Sequence, residues 1–253
     1  MDRIFLDLEI FGKRERQGHL DTLISSHLID DLKALRPVVP SGRLLVRINP
    51  IHDGTEEEID RVIANGADIL MLPMYRDSNE VNRFCQAVAG RAKTCLLLET
   101  IGAMETLEAS LRVPGVDEVH IGLNDLHLEL GSQFMFEPLA DGLVDRMARV
   151  LRQAGVPFGL GGVARAGEGL LPAELVLGEH VRLGSTAAIL SRTFHRQVST
   201  VAEMQTCMDF AGEIGLLRRA YASFKMLSEE KLAQNHEEVV RRVQAVKQSM
   251  RKS

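Results

Sequence analysis

Short runs rich in Ile, Leu and Val recur along most of the chain, and helical patterns separate them. This alternation predicts βαβ units and a parallel sheet. The predicted strands are Ile4–Leu8, Leu44–Ile48, Ile69–Pro73, Thr94–Leu98, Glu118–Leu123, Phe158–Gly161 and His180–Gly184. The predicted helices between them lie near Leu20–Leu35, Glu56–Ala64, Ser78–Ala89, Ala103–Leu111, Asp141–Ala154 and Ala173–Leu177. One strand followed by one helix, repeated, is typical of a (β/α) barrel.

The predicted strands are one short of the eight in a complete barrel. We therefore expect an α/β fold of the TIM type over residues 1–196, followed by a C-terminal helical extension over residues 197–253. Helices are predicted at Thr200–Gly215 and Leu216–Leu227, and Ser228 is the expected N-cap of a final helix ending near Met250. The apolar stripe of that last helix predicts contact with a second subunit, and so a homo-oligomer. Packing against its own barrel is the alternative.

Charge and hydropathy exclude some classes of partner. A net charge of -5 over 253 residues gives no broad basic surface, which argues against binding to nucleic acid or to an anionic membrane. The apolar run near the N-terminus is too short for a signal peptide, and no later run approaches the length of a membrane span. The sequence thus predicts a cytoplasmic protein whose partners are small molecules and other copies of itself.

Two of the predicted strands lead directly to a carboxylate. Leu96-Leu97-Leu98 is followed by Glu99, and Ile121-Gly122-Leu123-Asn124 by Asp125. Carboxyl ends of parallel barrel strands meet at one rim, so these carboxylates would lie together and suit a hard divalent cation. Arg47 ends another strand and would bring a guanidinium to the same rim. The alternative is that each carboxylate is only the first polar residue of a loop.

These segments resemble a known family. The segments that carry the resemblance are Phe5-Leu6-Asp7-Leu8-Glu9, Val46-Arg47-Ile48-Asn49, Gly66–Pro73, Leu98-Glu99-Thr100 and Ile121–Leu126. Over about residues 4–195, the chain is similar to the HpcH/HpaI aldolases and citrate lyase β-subunits. The resemblance implies a TIM-type barrel that begins at the family's second strand, which would account for the missing strand.

The resemblance also implies roles for individual residues. Glu99 and Asp125 match the family's ligands for Mg²⁺ or Mn²⁺, an ion that also chelates a pyruvate-like keto acid. Arg47 matches the arginine that steadies the keto or enolate oxygen. Backbone amides of Leu123, Asn124 and Asp125 match those that hold the substrate carboxylate.

Two departures from the family pattern concern the catalytic base. By this resemblance, Ile10 stands where the aldolases have a histidine, and Asn65 stands where they have that histidine's aspartate partner. Replacement bases are His52, which Asp53 could orient, and His127, two residues after Asp125. An ordinary loop histidine is an equally good interpretation of each.

Further cations follow other predicted strands. Lys13, Arg16 and His19 form a basic cluster that predicts capture of a phosphate or second carboxylate, with a solvated loop as the alternative. Arg165 lies in a glycine-rich stretch after the sixth strand and could meet an anion there, although these glycines could equally form a mobile lid.

The sequence predicts a metal-dependent carbon–carbon lyase or aldolase that forms or uses a pyruvate enolate. Its second substrate would be an anionic aldehyde, such as one derived from a sugar. The alternatives are a lyase acting on a thioester of the citryl- or malyl-CoA type, and a barrel subunit that binds keto acids without turnover.

Overall fold

The computed structural model describes residues 2–13, 27–191, 194, 198 and 200–251. The chain divides into two compact units. The first comprises Met1–Leu126 and Gln153–Pro157, and the second comprises His127–Arg152 and Phe158–Ser253. The predicted boundary at residue 196 stays a prediction.

The first unit contains five parallel strands that are paired in chain order. They are β1 (Ile4–Asp7), β2 (Leu44–Arg47), β3 (Ile69–Leu72), β4 (Lys93–Leu98) and β5 (Glu118–Ile121). The helices that follow them are α1 (Asp31–Leu35), α2 (Thr55–Ala64), α3 (Ser78–Val88), α4 (Ile101–Glu105), α5 (Leu107–Leu111) and α6 (Leu123–Glu129). Every residue of β2 and β3 is buried, as expected for parallel strands covered on both faces.

An ion pair shows that this five-stranded sheet is curled. Arg3, directly before β1, donates to both carboxylate oxygens of Glu118, the first residue of β5, and its Nη2 lies 2.9 Å from Oε2. Four strand spacings would separate β1 from β5 by about 19 Å in a flat sheet. A salt bridge cannot span that distance, so the amino-terminal ends of the outer strands approach each other as they do in a barrel.

The second unit holds the parallel pair β6 (Phe158–Val163) and β7 (Ala187–Leu190). Its helices are α7 (Glu137–Ala140), α8 (Leu143–Gln153), α9 (Ala173–Leu183), α10 (Val201–Cys207), α11 (Phe210–Phe224) and α12 (Glu229–Met250). With strands that follow one another in chain order and alternate with helices, the fold class is the predicted TIM-type barrel, one strand short of eight.

The predicted seventh strand, His180–Gly184, was wrong. Its first four residues belong to α9, which ends where Gly184 adopts a left-handed backbone with φ of +80°. The buried residues Val176, Leu177, His180 and Leu183 recur at helical spacing, and this period outweighs the short apolar run. The seventh strand is β7, which lies after the glycine.

The C-terminal helices are capped by polar side chains. Thr200 and Glu203 form a capping box at α10, and Asp209 caps α11, so the predicted helix Thr200–Gly215 is interrupted before Phe210. Ser228 is the N-cap of α12, as predicted, and accepts from the Lys231 backbone N–H.

The last helix packs against its own chain. The buried residues of α12 are Asn235, Val239 and Val243, and the helix contacts α9 and α7. The apolar stripe of the last helix thus packs within its own chain, which was the alternative to contact with a second subunit. The predicted homo-oligomer stays a prediction. Within the described residues, no helix is both long enough and apolar enough to cross a lipid bilayer.

Candidate active site at the carboxyl ends of the strands

Strand register places four charged side chains on one face of the first unit's sheet. Asp7 pairs with Arg47, Arg47 with Met71 and Met71 with Cys95, and partners in a parallel sheet share a face. Because side chains alternate, Glu9 and Glu99 continue the same face beyond the ends of β1 and β4. The site therefore begins with Asp7, Glu9, Arg47 and Glu99, all near the carboxyl ends of the strands.

Arg47 is held by the carboxylates of the first strand. Its Nε and Nη2 each donate to one oxygen of Asp7 at 2.8 Å, and its Nη1 lies 3.3 Å from Oε2 of Glu9. Burial opposes the charge of the guanidinium, but Asp7 and Glu9 outweigh it and raise the pKa of Arg47. A bidentate pair of this kind fixes the plane of the guanidinium.

Lys13 completes a cluster of two acids and two bases. Its side chain is fully buried, its ammonium donates to Oδ2 of Asp7, and it lies 3.8 Å from Oε2 of Glu9. Burial lowers the pKa of Lys13, and so does the guanidinium of Arg47, while Asp7 acts in the opposite direction. We call Asp7, Glu9, Lys13 and Arg47 the rim cluster.

These contacts bear on the predicted basic cluster near the N-terminus. Lys13 is enclosed rather than offered to a second anion on an open loop. Arg16 and His19 lie outside the described residues. Their predicted capture of a phosphate or carboxylate stays a prediction.

Asp7 is a site residue that the sequence reasoning missed. Burial would raise its pKa, but the hydrogen bonds and charges of Arg47 and Lys13 outweigh burial and lower the pKa of Asp7 to about 2. The signal was present in Phe5-Leu6-Asp7-Leu8-Glu9, because two carboxylates two residues apart on a strand share a face.

Glu99 is buried at the end of β4. Its side chain is only 2% exposed, and the Met74 backbone N–H donates to Oε1 at 3.2 Å. Burial raises the pKa of Glu99 well above its usual value, the nearby carboxylate of Asp125 raises it further, and Arg47 acts in the opposite direction. A proton or a cation is needed to keep two such carboxylates in one buried place.

Two backbone features allow Glu99 to lie there. A Cβ on Gly122 would come within 2.8 Å of Glu99 Cβ and 2.9 Å of its Oε2, so only glycine allows β5 to approach this closely. Met74 has a φ of +53°, a left-handed conformation that costs a non-glycine residue about 1 kcal/mol or more, and its N–H donates to the Glu99 carboxylate. Strain of this kind is typical of functional sites.

Asp125 lies in the first turn of α6 and is buried. The sequence predicts Asp125 at the carboxyl end of a strand, and the structure places it in the first turn of the helix that follows β5. The backbone N–H groups of Leu123, Asn124 and Asp125 are therefore those of a helix start, which have no acceptors within the helix. Their predicted contact with a substrate carboxylate stays a prediction.

Both ring nitrogens of His52 are engaged. Nδ1 accepts from the Gly54 backbone N–H at 3.0 Å, so Nε2 carries the proton and faces Oε2 of Glu58 at 3.0 Å. The carboxylate that orients this ring is therefore Glu58 rather than the expected Asp53. The ring offers no lone pair for proton transfer in this arrangement, and the predicted catalytic role of His52 stays a prediction that the geometry does not favour.

His127 is buried on α6, two residues after Asp125, and residues two apart on a helix do not share a face. Its Nδ1 has no hydrogen-bond partner among the described residues. Arg165, in the second unit, is buried and paired with Glu168, with Nη2 2.8 Å from Oε1. Catalysis by His127 and anion binding by Arg165 stay predictions.

The donor set fits a hard divalent cation. Among the described residues, no group of three or more His, Cys, Asp or Glu side chains is placed to hold a metal ion, so protein groups alone would not complete its coordination. The buried carboxylates of Glu99 and Asp125 could supply two ligands, and Mg²⁺ usually keeps water or substrate oxygens in its remaining positions. Among the described residues, the rim cluster is formally neutral, and the mutual repulsion of Glu99 and Asp125 is what a bound cation would relieve.

Comparisons with solved structures bear on the fold. A protein of the HpcH/HpaI aldolase/citrate lyase family from Burkholderia cenocepacia superposes with a TM-score of 0.57 at 18% identity, over 75% of this chain and 79% of that one. The fold is that of the HpcH/HpaI aldolase and citrate lyase family. The predicted resemblance is thus confirmed at the level of the fold.

Two further proteins with this fold superpose over most of their length. An HpcH/HpaI aldolase from Desulfitobacterium hafniense gives a TM-score of 0.57 at 17% identity, over 90% of this chain and 85% of that one. CitE from Mycobacterium tuberculosis, in complex with magnesium and pyruvate, gives a TM-score of 0.59 at 14% identity, over 93% of this chain and 96% of that one. A second CitE structure contains magnesium, acetoacetate and coenzyme A. No protein-family model matches the sequence, and no curated protein matches it either.

Proposed function

We propose that this protein is a metal-dependent carbon–carbon lyase or aldolase that forms or uses the enolate of pyruvate or a similar keto acid. One observation carries the proposal: Glu99 and Asp125 form a pair of buried carboxylates, close enough to each other that Asp125 raises the pKa of Glu99, and Arg47 lies close to them. Mg²⁺ or Mn²⁺ is the cofactor that this donor set fits.

The chain's residues would divide the work as follows. Arg47, held by Asp7, would donate to the oxygen on which negative charge develops when a carbon–carbon bond breaks or a methyl proton leaves. Glu99 and Asp125, both buried, would hold the ion. A divalent ion bound there would act as a Lewis acid on the oxygens of the keto acid.

The second substrate is proposed from the sequence alone. An anionic aldehyde, such as one derived from a sugar, suits the basic cluster that follows β1. The competing candidate is a lyase acting on a CoA thioester, and it is favoured by the coenzyme A that accompanies magnesium in the second CitE structure. We also keep the third hypothesis, a keto-acid-binding subunit without turnover, because Ile10 replaces the aldolase histidine.

Deuterium exchange into the methyl group of pyruvate tests the proposal. In heavy water with Mg²⁺, we expect exchange that stops when the metal is chelated. Arg47→Lys should slow it about 100-fold, as expected when one donor to a developing oxyanion is lost. Arg112→Lys changes an exposed arginine and is the matched control.

A wild-type protein that binds neither Mn²⁺ nor pyruvate would contradict the proposal. Binding of both without exchange would favour the non-catalytic subunit. Cleavage of malyl- or citryl-CoA by the same preparation, measured as release of free coenzyme A, would favour the thioester lyase.

A further inference from the structure

Lys13 has a position that the proposed reaction does not yet explain. Its side chain is fully buried, and lysine is rarely buried to that extent unless it is paired. Its ammonium faces Asp7 and Glu9, and within the described part of the chain Arg47 is the second cation that pairs with these two acids. Neither Glu99 nor Asp125 forms a salt bridge with Lys13 among the described residues.

The two cations face the same carboxylate oxygens, by hydrogen bonds at Asp7 and by ion-pair distances at Glu9. Oδ2 of Asp7 accepts from the Lys13 ammonium and, at 2.8 Å, from Nη2 of Arg47. Oε2 of Glu9 lies 3.8 Å from the ammonium and 3.3 Å from Nη1 of Arg47. Lys13 therefore neutralises the same oxygens that position the guanidinium.

This sharing decides how much charge Arg47 can offer to a substrate. With Lys13 present, two cations face two carboxylates and the rim cluster is formally neutral. Without Lys13, Arg47 would be the one cation of the rim cluster facing both carboxylates, and these would compete with a developing oxyanion for the N–H groups of Arg47. The guanidinium has five N–H groups, and its two hydrogen bonds to Asp7 use only two of them.

We propose that Lys13 is a positioning residue for Arg47, which keeps the guanidinium on Asp7 and its remaining donors available to the enolate oxygen. This inference rests on the proposed function and deepens it. Lys13 acts through Asp7 and Glu9 and does not touch the substrate. Its role requires a fixed positive charge, which an arginine can also supply.

Charge-compensating variants test the inference in the full-length protein with Mg²⁺ and pyruvate. Lys13→Met should lower kcat for methyl exchange about 10- to 100-fold, with a smaller change in KM, because the lost interaction acts mainly in the transition state. Lys13→Arg should retain most of the exchange. The double variant Lys13→Met/Glu9→Gln restores a neutral cluster and should recover at least about tenfold over Lys13→Met. Lys33→Met, at an exposed lysine, is the matched control.

Two results would overturn the inference. A double variant as slow as Lys13→Met would mean that Lys13 acts on the substrate directly, and unchanged kcat in Lys13→Met would mean that its charge is not used. If Lys13→Met does not fold, the double variant decides: exchange above about a tenth of the wild-type rate supports the inference, and a slower rate contradicts it.

A measurement without turnover separates this inference from the proposed function. The Nε–H resonance of Arg47 in a ¹⁵N spectrum, assigned by its absence in Arg47→Lys, reports the bond to Asp7. We expect it to move in Lys13→Met and to return towards its wild-type position in Lys13→Arg and in the double variant. No movement would contradict the inference, even in a protein that proves unable to exchange pyruvate protons. Absence of Mn²⁺ binding by the wild type would contradict the proposed function alone.

Discussion

Replacing Gly122 by alanine should weaken metal binding by displacing Glu99. The added Cβ would lie 2.8 Å from Glu99 Cβ, where ordinary contacts begin at 3.4 Å, so one of the two must move by about 0.6 Å. Glu99 Cβ is one bond from the backbone and cannot turn away. Leu97 Cδ1, 3.2 Å from the new atom, limits movement on another side.

Overpacking of this kind costs about 1–3 kcal/mol of folding free energy. For a chain of this size, each kcal/mol lowers Tm by about 2–4 °C, so the expected loss is about 2–12 °C. We also expect Mn²⁺ to bind about 10- to 100-fold more weakly, the range seen when support for a metal ligand is removed.

Calorimetric titration with Mn²⁺ and a thermal melt would measure both effects of Gly122→Ala. Gly162→Ala is the matched control, because a Cβ there would meet Ser191 at an ordinary 3.5 Å. Mn²⁺ affinity and Tm equal to those of the wild type would refute the argument that Gly122 makes room for Glu99.

Three further predictions concern single residues. The pKa of Asp7, lowered to about 2, should stabilise the fold by about 2–3 kcal/mol above pH 5. That contribution should fade as the pH falls from about 4 to 2, so urea denaturation of Asp7→Asn and wild type should converge at low pH. Because the pKa of Glu99 is raised, Mn²⁺ binding should release protons and strengthen with rising pH, which titrations in buffers of different ionisation enthalpy would show. Thr100→Ala removes the hydroxyl that caps α4 and donates to the Tyr75 carbonyl at 2.6 Å, and should lower stability by about 1–2 kcal/mol in urea denaturation, unlike the exposed control Thr206→Ala.

The carboxyl ends of the strands could be predicted because the side chains change there from apolar to polar. Arg47 is the last residue of β2 and Glu99 follows β4 directly, as the apolar runs indicated. These positions depend only on strand period and on where each strand ends, and both are local properties of the sequence. The same reasoning placed Asp125 near the end of β5 but missed that it lies in the first turn of a helix.

Partners across the sheet could not be predicted in the same way. Asp7 holds Arg47 because the register of β1 with β2 sets the two residues side by side. A long connection separates these strands in the sequence, so local patterns do not give their register. His52 lies next to Asp53 in sequence, but the first turns of α2 bring Glu58 to its ring. The burial of Lys13 likewise depends on three-dimensional neighbours that no spacing rule identifies.

Mn²⁺ binding by wild type and Glu99→Gln decides whether Glu99 is a metal ligand. Glutamine keeps the size of the side chain and removes its charge, and Glu108→Gln, at an exposed position, is the matched control. We expect wild type and Glu108→Gln to bind one Mn²⁺ more tightly when pyruvate is present, and Glu99→Gln to lose this binding while it remains folded. Equal Mn²⁺ affinity in all three proteins would contradict a metal site at Glu99.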